Sequence, residues 1–453
     1  MQSVRKRALS PAQWLALHIT GLVVIGGVLL SLPVAAAPGV HIPVVDAFFT
    51  STSAVCVTGL IVRDTPVDFS LFGQIVILLL IQAGGLGYMT ISTVIAVALG
   101  RRTSLQERLT LADALNVTSM EGLVRFAATI AALTFVFEAV GAMILAIRFS
   151  LDAGLANGIY LGIFHSVSAF NNAGFSLFSD NLMGYRGDVT VNLVITGLVI
   201  AGGLGFLVIA EVFGLHKRGD RPGFSTHSRL VLGISAILLV GGTLAILAFE
   251  WTNGKTLGPL PVGQKVLAAW FQAVTPRTAG FNTIDIGAMT MPSLFLMLVL
   301  MFIGASPGST GGGVKTTTFG ITVASLWSTI RGTADPVIFK RRLSADTVRR
   351  AFAVAMISFL AVNAFTLAVL VAEGRDLLRT LFETTSAFGT VGLSMGHAGS
   401  ALSLSAFFGV LGKLLIMGVM FMGRVGPLTL AVALAGRGAP PRVTYPEGKV
   451  VIG

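Results

Sequence analysis

The chain has a single cysteine, Cys56, in 453 residues, and only 11% of its residues are charged. One thiol excludes an internal disulfide framework and says nothing about compartment. With 54% hydrophobic residues and a mean hydropathy of +0.86, so little charge places the chain among polytopic membrane proteins. The acidic side is scarcest, and the formal balance is +11. That excess suggests nucleic acid only until its position is read. Lys and Arg gather in Arg5–Arg7, Arg101–Arg108, Lys217–Arg229, Arg331–Arg350 and Arg437–Lys449, outside or between apolar runs. The remaining connections hold most of the acids, among them Asp64, Asp68, Asp152, Asp180, Asp188, Glu250, Asp285, Glu373, Asp376 and Glu383. By the positive-inside rule the basic set is cytoplasmic, and so are both termini. No nucleic-acid partner is expected. The start mimics a secretory signal, Arg5–Arg7 then an apolar run then Ala35-Ala36-Ala37. Trp14–Leu32 is too long for a typical signal core and is needed by the repeat below, so no cleavage is expected.

Apolar runs long enough to span occur at about 13–32, 71–99, 124–148, 190–214, 228–250, 293–330, 347–372 and 404–435. Each pair of runs encloses a short apolar, hydroxyl-rich segment. The first is Phe48–Leu60, and the others are Ile163–Phe175, Trp270–Phe281 and Leu381–Leu393. About eleven residues of helix cannot cross a bilayer core of roughly 30 Å, so such a piece dips in and returns. All four share an early Phe, a Ser or Thr midway, and a closing Gly followed by Leu or Phe; the third is one residue shorter. The closing glycines Gly59, Gly174, Gly280 and Gly392 recur at intervals of 106 to 115 residues, close to a quarter of the chain. A repeat of that period divides the chain at 1–100, 101–216, 217–340 and 341–453. The second run of each pair also breaks, at Gly84-Gly85-Leu86-Gly87, Gly202-Gly203-Leu204-Gly205, Gly304, and Gly423-Arg424-Val425-Gly426. For the first two, close helix packing and a hinge are both open readings.

Four helix–loop–helix units can surround one axis. Cation-selective filters replace hydration water with rings of backbone carbonyls supplied by such loops. Pointing successive carbonyls at one axis needs backbone angles that a side chain resists, hence glycine at the narrowest level. A short helix before each loop aims its negative C-terminal end at the centre and favours a cation there. No intramembrane carboxylate repeats fourfold, so carbonyls fit better than a ring of carboxylates.

The residues Ser53–Leu60, Asn172-Ala173-Gly174-Phe175, Thr275–Phe281 and Gly389-Thr390-Val391-Gly392-Leu393 resemble the filter loops of the Trk/Ktr/HKT superfamily of potassium transporters. The resemblance covers essentially the whole chain. With no extra leading helix pair, the chain is more similar to the Ktr-type membrane subunit than to the longer Trk type. The resemblance implies an all-α integral membrane fold like that of potassium channels. It would have eight transmembrane helices and four half-crossing pore helices in pseudo-fourfold symmetry. It implies potassium held mainly by backbone carbonyls at Thr58, Gly59, Ala173, Gly174, Ala279, Gly280, Val391 and Gly392. Family members with Ser at the first ring position tend to pass sodium, so Gly59 implies potassium preference. It further implies uptake through the plasma membrane of a prokaryote, a homodimer, and a cytosolic nucleotide-binding regulatory ring of the KtrA kind on the basic face. The tail Tyr445–Gly453 either joins the dimer contact or is a frayed terminus.

Gly304–Thr318 superficially evokes a nucleotide-binding P-loop, but Val314 intrudes before Lys315, Ser309 stands where glycine is needed, and an apolar membrane run precedes it. It reads better as a broken helix at membrane depth beside a cavity. In the family the corresponding loop is an intramembrane gate, which assigns Gly304, Gly308, Gly311, Gly312, Gly313, Lys315 and Arg424 to gating. Arg424 lies inside an apolar run, so it should face the interior, as a structural brace or against that loop. Lys315 either shares the task or snorkels, and Lys413 is expected to snorkel. Arg277 would oppose ion entry unless it points away, and is expected to brace its loop. His165 and Glu138 are expected to be satisfied core groups. No enzyme activity and no covalent cofactor are expected. The resemblance implies potassium as the transported ion, with sodium as an activating or co-transported ion left open. Two other architectures remain: the ion-binding subunit of an ATP-driven potassium pump, and a cation-coupled secondary transporter.

Overall fold

A computed structural model describes residues 11–87, 123–214, 223–333, 335–396, 402–427 and 429–430, and over these the apolar runs are mostly helical. The basic clusters Arg5–Arg7, Arg101–Arg108 and Arg437–Lys449, with the tail Tyr445–Gly453, lie outside the described residues. Four long helices recur along the chain, α1 (Pro11–Leu30), α4 (Leu123–Ala153), α8 (Thr226–Glu250) and α12 (Ala345–Glu373). Among the described residues these are the four helices long and apolar enough to cross a bilayer singly. Their large outward residues, such as Ile147, Ile237 and Val371, are exposed, as a lipid-facing surface requires.

Each long helix is followed by a short one, α2 (Val44–Val55), α5 (Leu155–Phe170), α9 (Val262–Val274) and α13 (Leu377–Gly389). The short helices are the buried part of the molecule. Phe49, Phe164, Phe271 and Phe382 are all but inaccessible, as are the hydroxyls Thr50, Ser51, Ser166, Ser168, Thr384 and Ser386. The polar groups survive there because they bond to carbonyls, Thr50 and Thr384 to the carbonyl four residues back, and Ser51 and Ser166 across to α1 and α4.

The helix that follows each short one is itself short among the described residues. α3 (Leu71–Leu86), α6 (Val189–Leu204) and α14 (Val410–Val425) each stop after 16 residues, about 24 Å of helix. α10 (Met291–Phe302) stops after 12. Three end on a glycine at positive φ, Gly87 (+74°), Gly205 (+93°) and Gly426 (+91°). Such backbone suits glycine and breaks the α-helical ladder. After Gly205 the chain turns by 106° into α7 (Phe206–Val212). After α10 it runs without helix to α11 (Thr316–Ile330). A two-residue antiparallel hairpin, β1 (Val337–Ile338) with β2 (Arg341–Arg342), joins α11 to α12 and is a departure from a purely helical chain.

Candidate functional site: a ring of four glycines and the loop below it

The four short helices end at a common centre. Each is followed by a residue in the left-handed region, two positions before a closing glycine: Val57 (φ 57°), Asn172 (60°), Thr278 (69°) and Thr390 (50°). Left-handed backbone is costly for the β-branched Val57, Thr278 and Thr390. Helix-end hydrogen bonds hold it. The N–H of Thr58, Ala173 and Val391 reaches the carbonyl five residues back, on Ser53, Ser168 and Ser386, at 2.7–2.8 Å. In the shorter third loop Ala279 reaches only four back, to Thr275, at 2.9 Å. That tighter closure accounts for the missing residue.

The Ser or Thr midway along each segment has a defined task. Ser53 and Ser386 accept from the N–H of Gly59 and Gly392 at 3.0 and 3.1 Å. Ser168 and Thr275 donate to the carbonyls of Phe175 and Phe281 at 2.8 and 2.5 Å. Sequence reasoning noted this hydroxyl but gave it no role; its offset of six residues from the closing glycine, five in the shorter third loop, was the available signal.

The closing glycines have φ of +88°, +71°, +78° and +91° at Gly59, Gly174, Gly280 and Gly392. A side-chain carbon on Gly59 would collide with the carbonyl oxygen of Ala173. On Gly174 it would meet that of Ala279 at 2.7 Å, on Gly280 that of Val391 at 2.5 Å, and on Gly392 that of Thr58. The four contacts close a circuit. All eight residues expected at the ring, Thr58 and Gly59, Ala173 and Gly174, Ala279 and Gly280, Val391 and Gly392, are therefore brought together. Both the conformation and the space at each corner demand glycine. The arrangement is a ring of neutral carbonyl acceptors at the negative ends of four helices, which suits a dehydrated monovalent cation.

On one side the ring opens into a cavity of about 650 Å³, lined by the four glycines and by Asp64, Asp180, Asp285, Lys255 and Arg379. Burial pushes the Asp64 carboxyl above the ordinary value, with Asp68 adding to the shift and a hydrogen bond from Ser179 opposing it.

On the other side lies the loop between α10 and α11. Its edges bond to the broken helix α6–α7: Ser306 N–H to Gly203 O (3.0 Å), Thr310 N–H to Gly202 O (3.2 Å), and Phe206 N–H to Gly308 O (2.9 Å). Its tip lies against the left-handed residues of the ring loops. Thr310 Oγ1 donates to Asn172 Oδ1 (3.2 Å) and Gly312 N–H to Thr390 Oγ1 (2.9 Å). A Cβ on Gly311 would strike the Thr278 side chain, and one on Gly304 would strike the carbonyl of Gly312. Gly308 and Gly313 take positive φ, +65° and +68°. Lys315 Nζ turns back to the carbonyl of Gly311 (2.6 Å) rather than snorkelling. Arg424 donates Nη1 to Thr310 O and Nη2 to Gly84 O, tying the loop to α3 and α14. Six of the seven residues expected to act together, Gly304, Gly308, Gly311, Gly312, Gly313 and Lys315, lie in this loop, and Arg424 reaches it from α14. Asn172, Thr278 and Thr390, which receive the loop, were given no role in gating from sequence.

Of the second-run glycines, some pack closely and others, three residues on, end the helix. Gly84, Gly202 and Gly423 lie so close to the carbonyls of Val55, Phe170 and Phe388 that no Cβ fits, while Gly87, Gly205 and Gly426 end the helices. Lys413 does not snorkel. Its Nζ pairs with Asp46 at 2.6 Å, and Arg63 holds the other oxygen of that carboxylate at 2.8 Å. The carboxylate sits in the first turn of α2, near enough to the fourth unit to draw the lysine inward. Among the described residues Arg277 makes no brace through its guanidinium, and its Nη1 is buried without a hydrogen-bond partner. Its carbonyl accepts from Asn172 Nδ2 instead (3.2 Å). His165 contacts Leu161 O and Ser176 Oγ, and Glu138 accepts from Gln82 and Asn171. Among the described residues no cluster of His, Cys, Asp and Glu could hold a metal ion.

A family model described as "Cation transport protein" (TrkH) matches residues 18–437. The chain is 41% identical over 444 residues to the Ktr system potassium uptake protein B of Bacillus subtilis, covering 98% of this chain and 97% of that protein. It is 36% identical to the potassium/sodium uptake protein NtpJ of Enterococcus hirae, covering 99% and 98%. The crystal structure of the potassium transporter TrkH from Vibrio parahaemolyticus superposes with a TM-score of 0.71 at 21% identity, covering 96% of this chain and 86% of that one. This last likeness is one of fold.

Proposed function

From the premise that the chain belongs to the TrkH family of cation transport proteins, we propose that it carries potassium into a bacterial cell as the ion-translocating subunit of a Ktr-type system. The observation that carries this reading is the closed circuit of Gly59, Gly174, Gly280 and Gly392, each at positive φ against its neighbour's carbonyl. The ring is a selectivity filter. Potassium sheds its water at the 650 Å³ vestibule and exchanges it for the carbonyls of Thr58, Ala173, Ala279 and Val391 and of the ring glycines. Each unit of the chain supplies one quarter: residues 1–100, 101–216, 217–340 and 341–453. The long helix, the half-crossing pore helix and the glycine-broken helix are its parts.

The Gly304–Thr318 loop is the gate. It lies across the base of the filter, and Arg424 latches it through Thr310 and Gly84. Lys315 stiffens its tip. The basic connections face the cytoplasm, both termini with them. There a nucleotide-binding ring pulls on or releases the gate of a homodimer. Sodium is the second ion to consider, since NtpJ is named for both ions.

The test is complementation. In cells lacking other potassium uptake, the intact chain with its regulatory partner supports growth on low potassium and moves rubidium, and Gly59→Ser lowers the preference for potassium over sodium. An intact, well-expressed chain that moves neither potassium nor rubidium ends this reading. Fluxes with and without sodium decide the coupling.

A further inference from the structure

Behind the third pore helix lies a second, much smaller cavity, of about 20 Å³. It is bounded by Val199 and Leu204 of α6, Ser235 and Leu239 of α8, Val274 at the end of α9, and Arg277. Its walls are apolar except for two donors, and both are unsatisfied. Arg277 is 7% exposed and Ser235 5%, and among the described residues neither Arg277 Nη1 nor Ser235 Oγ has a hydrogen-bond partner. A helical serine ordinarily returns its hydroxyl to the preceding turn; Ser235 does not, which leaves its O–H free for the cavity. Among the described residues Arg277 forms no ion pair, and no carboxylate lines the space. A guanidinium stays protonated in proteins, and an unpaired charge at membrane depth is expensive.

We propose that this cavity is a binding site for one small monovalent anion, of which chloride is the natural probe, held by Arg277 and Ser235. A space of roughly 20 Å³ exceeds the 10–15 Å³ that one water needs, so it takes a single compact species. A water would satisfy the two donors but not the charge. A cation is repelled by the guanidinium, and carboxylate, phosphate or sulfate is too large. The location gives the anion a consequence. Arg277 is two residues from Ala279, and its own carbonyl is held by Asn172 (3.2 Å). On the potassium reading above, which this consequence alone rests on, the bound anion cancels a positive charge directly behind one corner of the filter.

The site is tested on the purified full chain by equilibrium binding of radiolabelled chloride, and by anomalous diffraction from crystals grown in bromide. Neither readout depends on transport. The expected result is saturable binding of one chloride per chain and a bromide peak between Arg277 and Ser235. Ser235→Ala should bind about tenfold more weakly through loss of one charge-assisted bond. Arg277→Gln should abolish binding and Arg277→Lys should restore part of it. Ser235→Ala faces a small cavity on a long helix, so it keeps the test alive if Arg277→Gln misfolds. Absence of saturable chloride binding in the intact chain, only a water in the cavity, or Ser235→Ala binding as tightly as the intact chain overturns the proposal. If these binding results hold while potassium flux is absent, the functional reading fails and the anion site stands.

Discussion

Replacing Gly280 with alanine tests the ring at a single corner. The residue has φ +78°, where an L side chain costs about 1–2 kcal/mol. The new methyl would lie 2.5 Å from Val391 O and 3.1 Å from Gly174 Cα. An ordinary carbon–oxygen contact is about 3.3 Å, so the carbonyl must retreat by roughly 0.8 Å or the loop must shift. Overpacking of this kind costs about 1–3 kcal/mol, giving roughly 2–5 kcal/mol in all. Against a stability of about 5–15 kcal/mol the chain still folds. The ion, however, loses one of its ring carbonyls, and each 1.4 kcal/mol of lost discrimination is about tenfold. Rubidium and sodium uptake should therefore show selectivity reduced at least tenfold, with membrane abundance reduced much less. Gly197→Ala is the control, because a Cβ there meets nothing within 4 Å. A Gly280→Ala chain with unchanged selectivity at equal abundance would refute the filter argument.

Three further outcomes follow from the same geometry. Arg424→Gln removes charged hydrogen bonds to Thr310 and Gly84, worth about 1.5–3 kcal/mol each. Rubidium flux should rise severalfold, and unchanged or lower flux at normal abundance counts against a latch. Asp46→Ala strands the nearly buried Lys413 (13% exposed) and should cost about 3–5 kcal/mol. Lys413→Met leaves Asp46 paired with Arg63 and should cost much less, so melting curves in detergent that rank the two the other way contradict this pairing. Asp64 attracts cations to the vestibule only when ionised, and burial has raised its pKa. As outside pH falls toward that raised value the charge is lost, so the potassium concentration for half-maximal uptake should rise. It should do so at a higher pH than an ordinary aspartate allows, and Asp64→Asn should be insensitive. An equal pH response in Asp64→Asn assigns the effect elsewhere.

Much of this protein was legible as pattern. The spacing of Gly59, Gly174, Gly280 and Gly392, the short runs between long ones, and the basic connections all follow from local rules of length, periodicity and charge. They led to the four glycines that the structure brings together before any coordinate. Less was legible where partners come from distant segments. Lys413 looked like a snorkelling lysine because Asp46 is 367 residues away. The guanidinium of Arg277 was assigned a brace, although it faces a cavity between α6 and α8.

By itself the sequence determined that the chain is a membrane protein, with four short apolar segments closed by glycine. Apolar length against bilayer thickness and the φ requirement of tight loops are properties of each segment alone. Only the tertiary structure decided that each ring glycine abuts the carbonyl of the next unit, and that Gly84, Gly202 and Gly423 pack where Gly87, Gly205 and Gly426 bend. It alone seated the Gly304–Thr318 loop under Asn172, Thr278 and Thr390. Those outcomes depend on which backbones approach within a carbon's width, and no local pattern encodes that distance.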